Sequence, residues 1–305
     1  MARYHFGWTD ADGRPCRAPS GKTLRGALTL ASAAASPRSD SDSTVRAVPA
    51  AVAVELVHNF SLIHDDVMDG DSVRRGRPTV WRVWGAANAV LLGDALLASA
   101  MSILASAGDT VAERAISRLA DATIALCGGQ HDDCAFEGSI VVGTADYLAM
   151  ARDKTGALMG CACALGALYA GGDAAAVTRM DVIGRDLGLA FQLIDDVIGL
   201  TGDPEVTGKP VGGDLARRKK TYPVLSALQA EGAAAQRITD LYVGSLPLTS
   251  VEIAELRSLI EELGGIESAA RLADERVATV IDELSRMGRT TDLKTLARLI
   301  AHRDR

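Results

Sequence analysis

Residues 55–81 read ELVHNFSLIHDDVMDGDSVRRGRPTVW, and the rest of the chain is organised around this stretch. An apolar run with helical spacing delivers Asp65, Asp66 and Asp69, and a basic cluster of Arg74, Arg75 and Arg77 follows Asp71. Residues four apart are neighbours on one helix face, so Asp65 and Asp69 point the same way, with His58, Ser61 and Leu62 close to that stripe. Two carboxylates about 5 Å apart at an effective dielectric of about 20 repel by about 3 kcal/mol. A cation between them removes that strain. Oxygen-only ligands from one helix suit Mg2+, which completes its shell with water and substrate phosphates. The arginines beyond suit the phosphates, because the guanidinium fork matches their oxygens. The local reading is a metal-bridged diphosphate site; the bland alternative is a helix ending in a solvated acidic turn.

A second copy weakens that alternative. Residues 191–224 read FQLIDDVIGLTGDPEVTGKPVGGDLARRKKTYPV, again an apolar helix running into an aspartate pair, Asp195 and Asp196. Gly188, Gln192, Asp195 and Gly199 share one face, and glycines, Lys209 and the run Arg217, Arg218, Lys219, Lys220 follow. Two acidic helix ends with basic loops behind them read as opposite walls of one cleft.

The composition fits a helical scaffold. Hydrophobic residues make up 48% of the 305 and aromatics only 4%, so the core is built from Ala, Leu, Val and Ile. That favours close-packed helices over sheet, and no strand pattern is found. Helices are expected at about 21–35, from Pro49 through the first motif, at 86–107, 110–135, 144–170 and 222–230, and at 250–265, 266–288 and 291–302. Segment 36–49 is expected to be a polar loop, and the last three helices a solvated outer scaffold. No linker interrupts the chain, so residues 1–305 are expected to form a single domain. The net charge of −7 argues against a nucleic-acid footprint. Five cysteines without metal spacing (Cys16, Cys127, Cys134, Cys161 and Cys163) and no visible targeting signal point to a cytoplasmic protein. The apolar stretches 85–107 and 157–172 read as buried helices rather than membrane spans.

Six motifs in order carry a resemblance: GKTLRG at 21–26, the first aspartate motif with its RRG, GD at 93–94, GQHDD at 129–133, KTG at 154–156, and the second aspartate motif with GKPVGGDL and RKKT. Together they resemble the trans-isoprenyl (polyprenyl) diphosphate synthases over nearly the whole chain. The resemblance implies an all-α, single-domain bundle of about ten or more helices around a central cleft. The implied reaction is head-to-tail prenyl transfer, in which an allylic diphosphate ionises and the alkene of isopentenyl diphosphate attacks it. Three Mg2+ ions are implied, with Asp65 and Asp69 ligating two and Asp195 the third, and with Asp66 and Asp196 acting directly or through water. Lys22, Arg25, His58 and Arg75 are implied for the isopentenyl diphosphate. Arg74, Gln130, Lys154, Thr155, Gln192, Lys209 and Lys219 are implied for the allylic substrate, with Lys154 and Thr155 also near the developing carbocation.

The chain departs from the family pattern at three places. Thr23 stands where an arginine is usual, Gly26 where a proline is usual, and Gly199 where the second motif ends in aspartate; Asp203 stands nearby as a partial substitute. Phe60 and Ser61 occupy the positions that set product length by resemblance, in a pattern like that of short-chain C20 enzymes. Geranylgeranyl diphosphate is the expected product and farnesyl diphosphate the next. A homodimer is expected from the resemblance alone. The rival readings are a class I terpene cyclase on the same scaffold and a non-catalytic subunit of a heteromeric synthase.

Overall fold

Helix α4, Val48–Met68, carries Pro49 in its first turn and is followed by Gly70 at φ 68°. Proline supplies the right φ where no intrahelical N–H partner is needed, and a left-handed glycine stops the ladder. Asp69 still donates its backbone N–H to the Asp65 carbonyl at 2.8 Å, so the helical geometry that aligns the two aspartates survives to the cap. The computed structural model describes residues 1–36, 38–106, 111–139, 142–201, 212–244 and 246–302. More than ten helices are found among them, and the fold is all-α as the composition predicts.

The chain divides into two compact units, residues Met1–Ala120 with Cys161–Val177, and Asp121–Gly160 with Thr178–Arg305. In the first, α1 (Ala2–His5), α2 (Leu24–Ala35), α3 (Ser43–Arg46), α5 (Val80–Trp84) and α6 (Ala86–Ser106) surround α4. The α4–α6 crossing is close because Gly93 has no side chain: a Cβ there would lie 2.1 Å from His64 Nε2. His64 instead reaches the Val90 carbonyl at 3.0 Å. Ala50, Ala53, Val54, Val57 and Ile63 of α4 are fully buried with Leu28, Ala89, Ala100 and Leu104. Helix α2 is tied to α4 by the Gly26 N–H donating to Glu55 Oε1 at 2.8 Å.

The second unit is built on two glycine crossings. Helix α7, Ala112–Gly138, contributes Asp121 onward; α8 spans Thr144–Ala151, and a π-helical turn, Arg152–Gly156, leads into α9, Ala157–Tyr169. Helix α10, Ala174–Thr201, lies backbone-to-backbone on that turn, with a Cβ at Gly188 only 2.6 Å from the Gly156 Cα. On the other side a Cβ at Gly129 of α7 would be 2.2 Å from the Lys154 nitrogen. A separate apolar cluster joins Leu200, Leu215, Val224, Ile238, Leu241, Leu256 and Ile260.

Five expectations are corrected. Helix α2 begins at Leu24, because Gly21 (φ 93°) and Thr23 (φ 44°) adopt left-handed backbone; Lys22 is therefore outside it and shares no helix face with Arg25. Strand is not wholly absent: Val73–Arg74 (β1) pairs antiparallel with Arg77–Pro78 (β2). The 36–49 loop contains α3, and the helix Ala233–Val243, which the pattern did not suggest, is present. The C-terminal helices are more than an outer layer, since Leu256 and Ile260 sit in the apolar cluster just described. Stretch 85–107 is not buried throughout: in α6 only 33% of the most apolar segment is covered, and Leu91 is 64% exposed. By length and composition Ser43–Met68 and Ala86–Ser106 could each cross a membrane. Cys161 and Cys163 are buried in α9, within the stretch 157–172 expected to be a buried helix.

Candidate active site

In the first unit, the aspartates at the end of α4 meet a basic hairpin. The turn between β1 and β2 places Arg75 at φ 54° and Gly76 at φ 73°, the paired positive dihedrals of a tight two-residue hairpin loop. Asp66 is 2% exposed and accepts from Arg74 Nε at 2.7 Å. Burial raises the Asp66 carboxyl to about 6, against the pull of Arg74. Asp65 and Asp69 remain half-buried at the helix end.

Behind them the cations converge. A Cβ at Gly21 would sit 2.7 Å from the Arg75 guanidinium, which donates to the Ser20 carbonyl at 2.5 Å. Arg25 is 8% exposed near the start of α2. His58 is held neutral, its pKa driven well below the usual value by burial and then by Arg25, Arg75, Arg74 and His5. Arg25, His58, Arg74 and Arg75 are thus brought together, while Lys22 is exposed on the loop before α2. Phe60 is buried edge-on to His64 with ring centroids 4.9 Å apart, and Ser61 bonds its hydroxyl back to the His58 carbonyl.

The second unit holds two linked polar groups. Asp133 accepts from Lys154 Nζ at 2.6 Å and Lys219 Nζ at 3.1 Å. Burial pushes its carboxyl up, but the two ammonium groups win and hold it below the ordinary range. The π turn explains how Lys154 reaches it: one extra residue in the helical turn re-aims the side chains that follow. Thr155, next along, donates to Gln192 Oε1 at 2.7 Å, and Gln192 Nε2 donates to Asp196 Oδ1 at 3.1 Å. Asp196 Oδ2 also accepts from the Tyr147 hydroxyl at 2.5 Å and the Tyr222 N–H at 3.0 Å. Even with those donors, burial raises Asp196 to about 7. Asp195, one residue earlier, stays partly exposed. Gln130 is buried and directs Nε2 to Cys134 Sγ at 3.5 Å, so it does not join Asp133 in the lysine bridge.

Most of the basic run after the second motif has a structural use. Arg217 pairs with Asp214 at 3.2 Å, Arg218 donates to the Leu241 and Leu246 carbonyls, and Lys220 donates to the Phe136 carbonyl. Of the four, Lys219 is the one joined to Asp133. A Cβ at Gly199 would lie 2.9 Å from Asp214 Oδ2, so a carboxylate borne by another residue already stands where a side chain at 199 would begin. Lys209 and Asp203 lie outside the described residues. Sequence reading missed Tyr147, Tyr222 and Asp214, and only the general rule that a buried tyrosine hydroxyl needs a partner pointed to the first of these.

Asp65 and Asp69 fit a hard divalent cation: two carboxylates one helical turn apart, all oxygen, on the helix end that the Arg74–Arg75 hairpin meets. Among the described residues no group of three or more His, Cys, Asp or Glu side chains forms a ready-made ion cage. Mg2+ bound by so few carboxylates ordinarily completes its shell with water and substrate phosphate oxygens.

Comparison with known proteins defines the class. The polyprenyl synthetase family matches residues 15–260. A solved polyprenyl synthetase from Streptomyces coelicolor superposes with a TM-score of 0.91 at 41% identity, covering 98% of this chain and 90% of that one. The chain belongs to the polyprenyl synthetase family, and it is a prenyl diphosphate synthase, an alkyl-transferring enzyme. It is 50% identical to a geranylgeranyl diphosphate synthase of Mycobacterium tuberculosis over all of this chain and 86% of the relative. It is also 42% identical to a (2E,6E)-farnesyl diphosphate synthase of Mycobacterium bovis, over 99% of this chain and 85% of the relative.

Proposed function

We propose that this enzyme condenses isopentenyl diphosphate with an allylic diphosphate and releases geranylgeranyl diphosphate, and that residues 1–305 work as one catalytic domain. The observation that supports the reading best is the convergence of Arg25, His58, Arg74 and Arg75 beside the Asp65–Asp69 pair. A cluster of cations around a neutral histidine suits a diphosphate that undergoes no protonation, and a terpene cyclase would have no use for a second one. Half-identity to a geranylgeranyl diphosphate synthase along the whole chain supports the C20 product over farnesyl diphosphate.

In this reading Asp65 and Asp69 hold two Mg2+ ions and Asp195 a third. When bound, the ions supply charge that stabilises the departing pyrophosphate. Lys154 and Lys219 are held by Asp133 at fixed positions, preorganised cations for the allylic diphosphate. Asp196 keeps Gln192 turned toward Thr155, so the Thr155 oxygen faces a set direction as positive charge develops on the allyl group. Arg25, Arg75 and His58 take the isopentenyl diphosphate, and Lys22 adds an exposed cation from the loop before α2. Buried Phe60 closes the apolar end of the pocket and sets product length, with Ser61 beside it.

A homodimer is part of the proposal, supported by the uncovered apolar side of α6, where Val90 is 41% and Leu91 64% exposed. That association would also explain α6 without a membrane span, in keeping with a cytoplasmic enzyme. The test is a product assay. Purified protein with Mg2+ and isopentenyl diphosphate receives dimethylallyl, geranyl or farnesyl diphosphate, and the products are dephosphorylated and sized. A C20 alcohol that disappears with EDTA is the expected result. A hydrocarbon formed from one diphosphate alone would replace this reading with a cyclase, and inactivity in both would favour a subunit role.

A further inference from the structure

The hairpin that carries Arg74 and Arg75 is too small to hold itself. Each strand is two residues long, with Val73 opposite Pro78 and Arg74 opposite Arg77. Isolated two-stranded hairpins are marginal in water even when longer. Arg75 adds strain, since a non-glycine residue at φ 54° needs external support. Asp66 holds Arg74 and the Ser20 carbonyl holds Arg75, and the opposite strand of the hairpin meets the segment before residue 15, which lies outside the family match at 15–260.

That segment grips the hairpin through Arg77. Arg77 donates Nη1 to the Tyr4 carbonyl at 3.0 Å and Nη2 to the Thr9 carbonyl at 2.9 Å. Its guanidinium also lies over the Tyr4 ring, 4.0 Å from the centroid. Tyr4 is 6% exposed, donates its hydroxyl to the Pro78 carbonyl at 2.8 Å and packs edge-on to Trp84. The next residue, His5, meets Asn59 Oδ1 of α4 at 2.9 Å, and burial lowers its pKa to about 4, so it remains a neutral partner. Arg77 is thus spent on two backbone carbonyls and an aromatic face, although it stands directly opposite Arg74 in the hairpin.

We infer that Tyr4 and Arg77 are positioning residues: the N-terminal segment clamps the hairpin through Arg77 and thereby fixes Arg74 and Arg75 for diphosphate binding. The inference rests on the proposed role of Arg75 toward isopentenyl diphosphate. It adds that Arg77 touches no substrate, and that a segment outside the family match governs affinity.

The experiment is a double-mutant cycle on the full chain. Arg77→Gln and Tyr4→Phe are made alone and in an Arg75→Ala background. KM for isopentenyl diphosphate, kcat, the Kd for inorganic pyrophosphate by calorimetry, and thermal melting are measured for each. Losing one charge-assisted clamp should raise that KM about tenfold in Arg77→Gln, and losing one neutral hydrogen bond about threefold in Tyr4→Phe, with kcat within about twofold. In the Arg75→Ala background Arg77→Gln should add less than about twofold, because the residue it positions is gone. Equal factors in both backgrounds would mean that Arg77 contacts the diphosphate itself and would overturn the inference. So would an unchanged KM in Arg77→Gln while Arg75→Ala raises it. An unchanged KM in Arg75→Ala would overturn the binding role of Arg75 and the inference with it. Should Arg77→Gln fail to fold, Tyr4→Phe, which deletes one hydroxyl, carries the same comparison.

Discussion

Replacing Asp196 with asparagine should make this enzyme more stable at pH 8 and less active. The carboxyl is 5% exposed, and burial raises its pKa from 3.8 to about 7. A carboxyl raised in the folded state binds its proton more tightly there than in the unfolded chain. Its stabilising contribution is complete below pH 3.8 and is lost as the pH rises through about 7. The span from 3.8 to about 7 corresponds to at most about 4 kcal/mol, at about 1.4 kcal/mol per pH unit. Asparagine imitates the protonated carboxyl: its oxygen can accept from Tyr147 and the Tyr222 N–H, and its amide can donate once Gln192 flips. That flip turns the Gln192 amide toward Thr155 and reverses the hydrogen bond that fixes the Thr155 hydroxyl. Thermal melting in EDTA from pH 5 to pH 8 is the assay. At about 2 °C per kcal/mol for a chain of this size, the variant should melt several degrees above the parent at pH 8, and the gap should shrink to less than half by pH 5 and close only as the pH approaches 3.8. Activity should fall at least tenfold at both pH values. A variant destabilised equally at pH 5 and pH 8 would refute the reasoning, because it would mean that Asp196 is charged at no cost.

Other perturbations follow from close approaches. Gly129→Ala would drive a methyl to 2.2 Å from the Lys154 backbone nitrogen, and it should cost about 3 kcal/mol in urea denaturation and weaken allylic substrate binding. Gly199→Asp, which restores the usual family residue, should destabilise the chain because it sets a second carboxylate against Asp214, whose Oδ2 lies 2.9 Å from where that side chain begins. Adding Asp214→Asn should recover part of the loss in the same denaturation assay. Phe60→Ala should lengthen the product, read by chromatography of the dephosphorylated alcohols; unchanged length would remove Phe60 from that role.

Much of the first motif was legible because its chemistry is local. The spacing of Asp65 and Asp69 sets one helix face, and Pro49 and Gly70 mark where that helix begins and ends. The second motif was legible as a helix ending in two aspartates, but their difference was not. Asp195 is partly exposed, whereas Asp196 is buried with Tyr147, Tyr222 and Gln192 around it, and adjacent identical residues give no hint of that. The helix assigned from residue 21 failed at a left-handed threonine, a conformation no propensity scale predicts. The basic run 217–220 looked like a phosphate site, yet Arg217, Arg218 and Lys220 serve neighbouring carboxylate and carbonyl groups.

The sequence alone determined the all-α class, the family, and the residue types available for metal and diphosphate. Those depend on periodicity, composition and short motifs, all of which act over one or two helical turns. The tertiary structure decided which charged groups are partnered. Asp133 bridging Lys154 and Lys219, and Arg77 committed to Tyr4 and Thr9, each join residues far apart in the chain, and the hairpin turn brings Arg74 back onto Asp66. Such pairings are set by burial and backbone approach, and glycines such as Gly21, Gly93, Gly129 and Gly188 permit that approach only once the helices have packed.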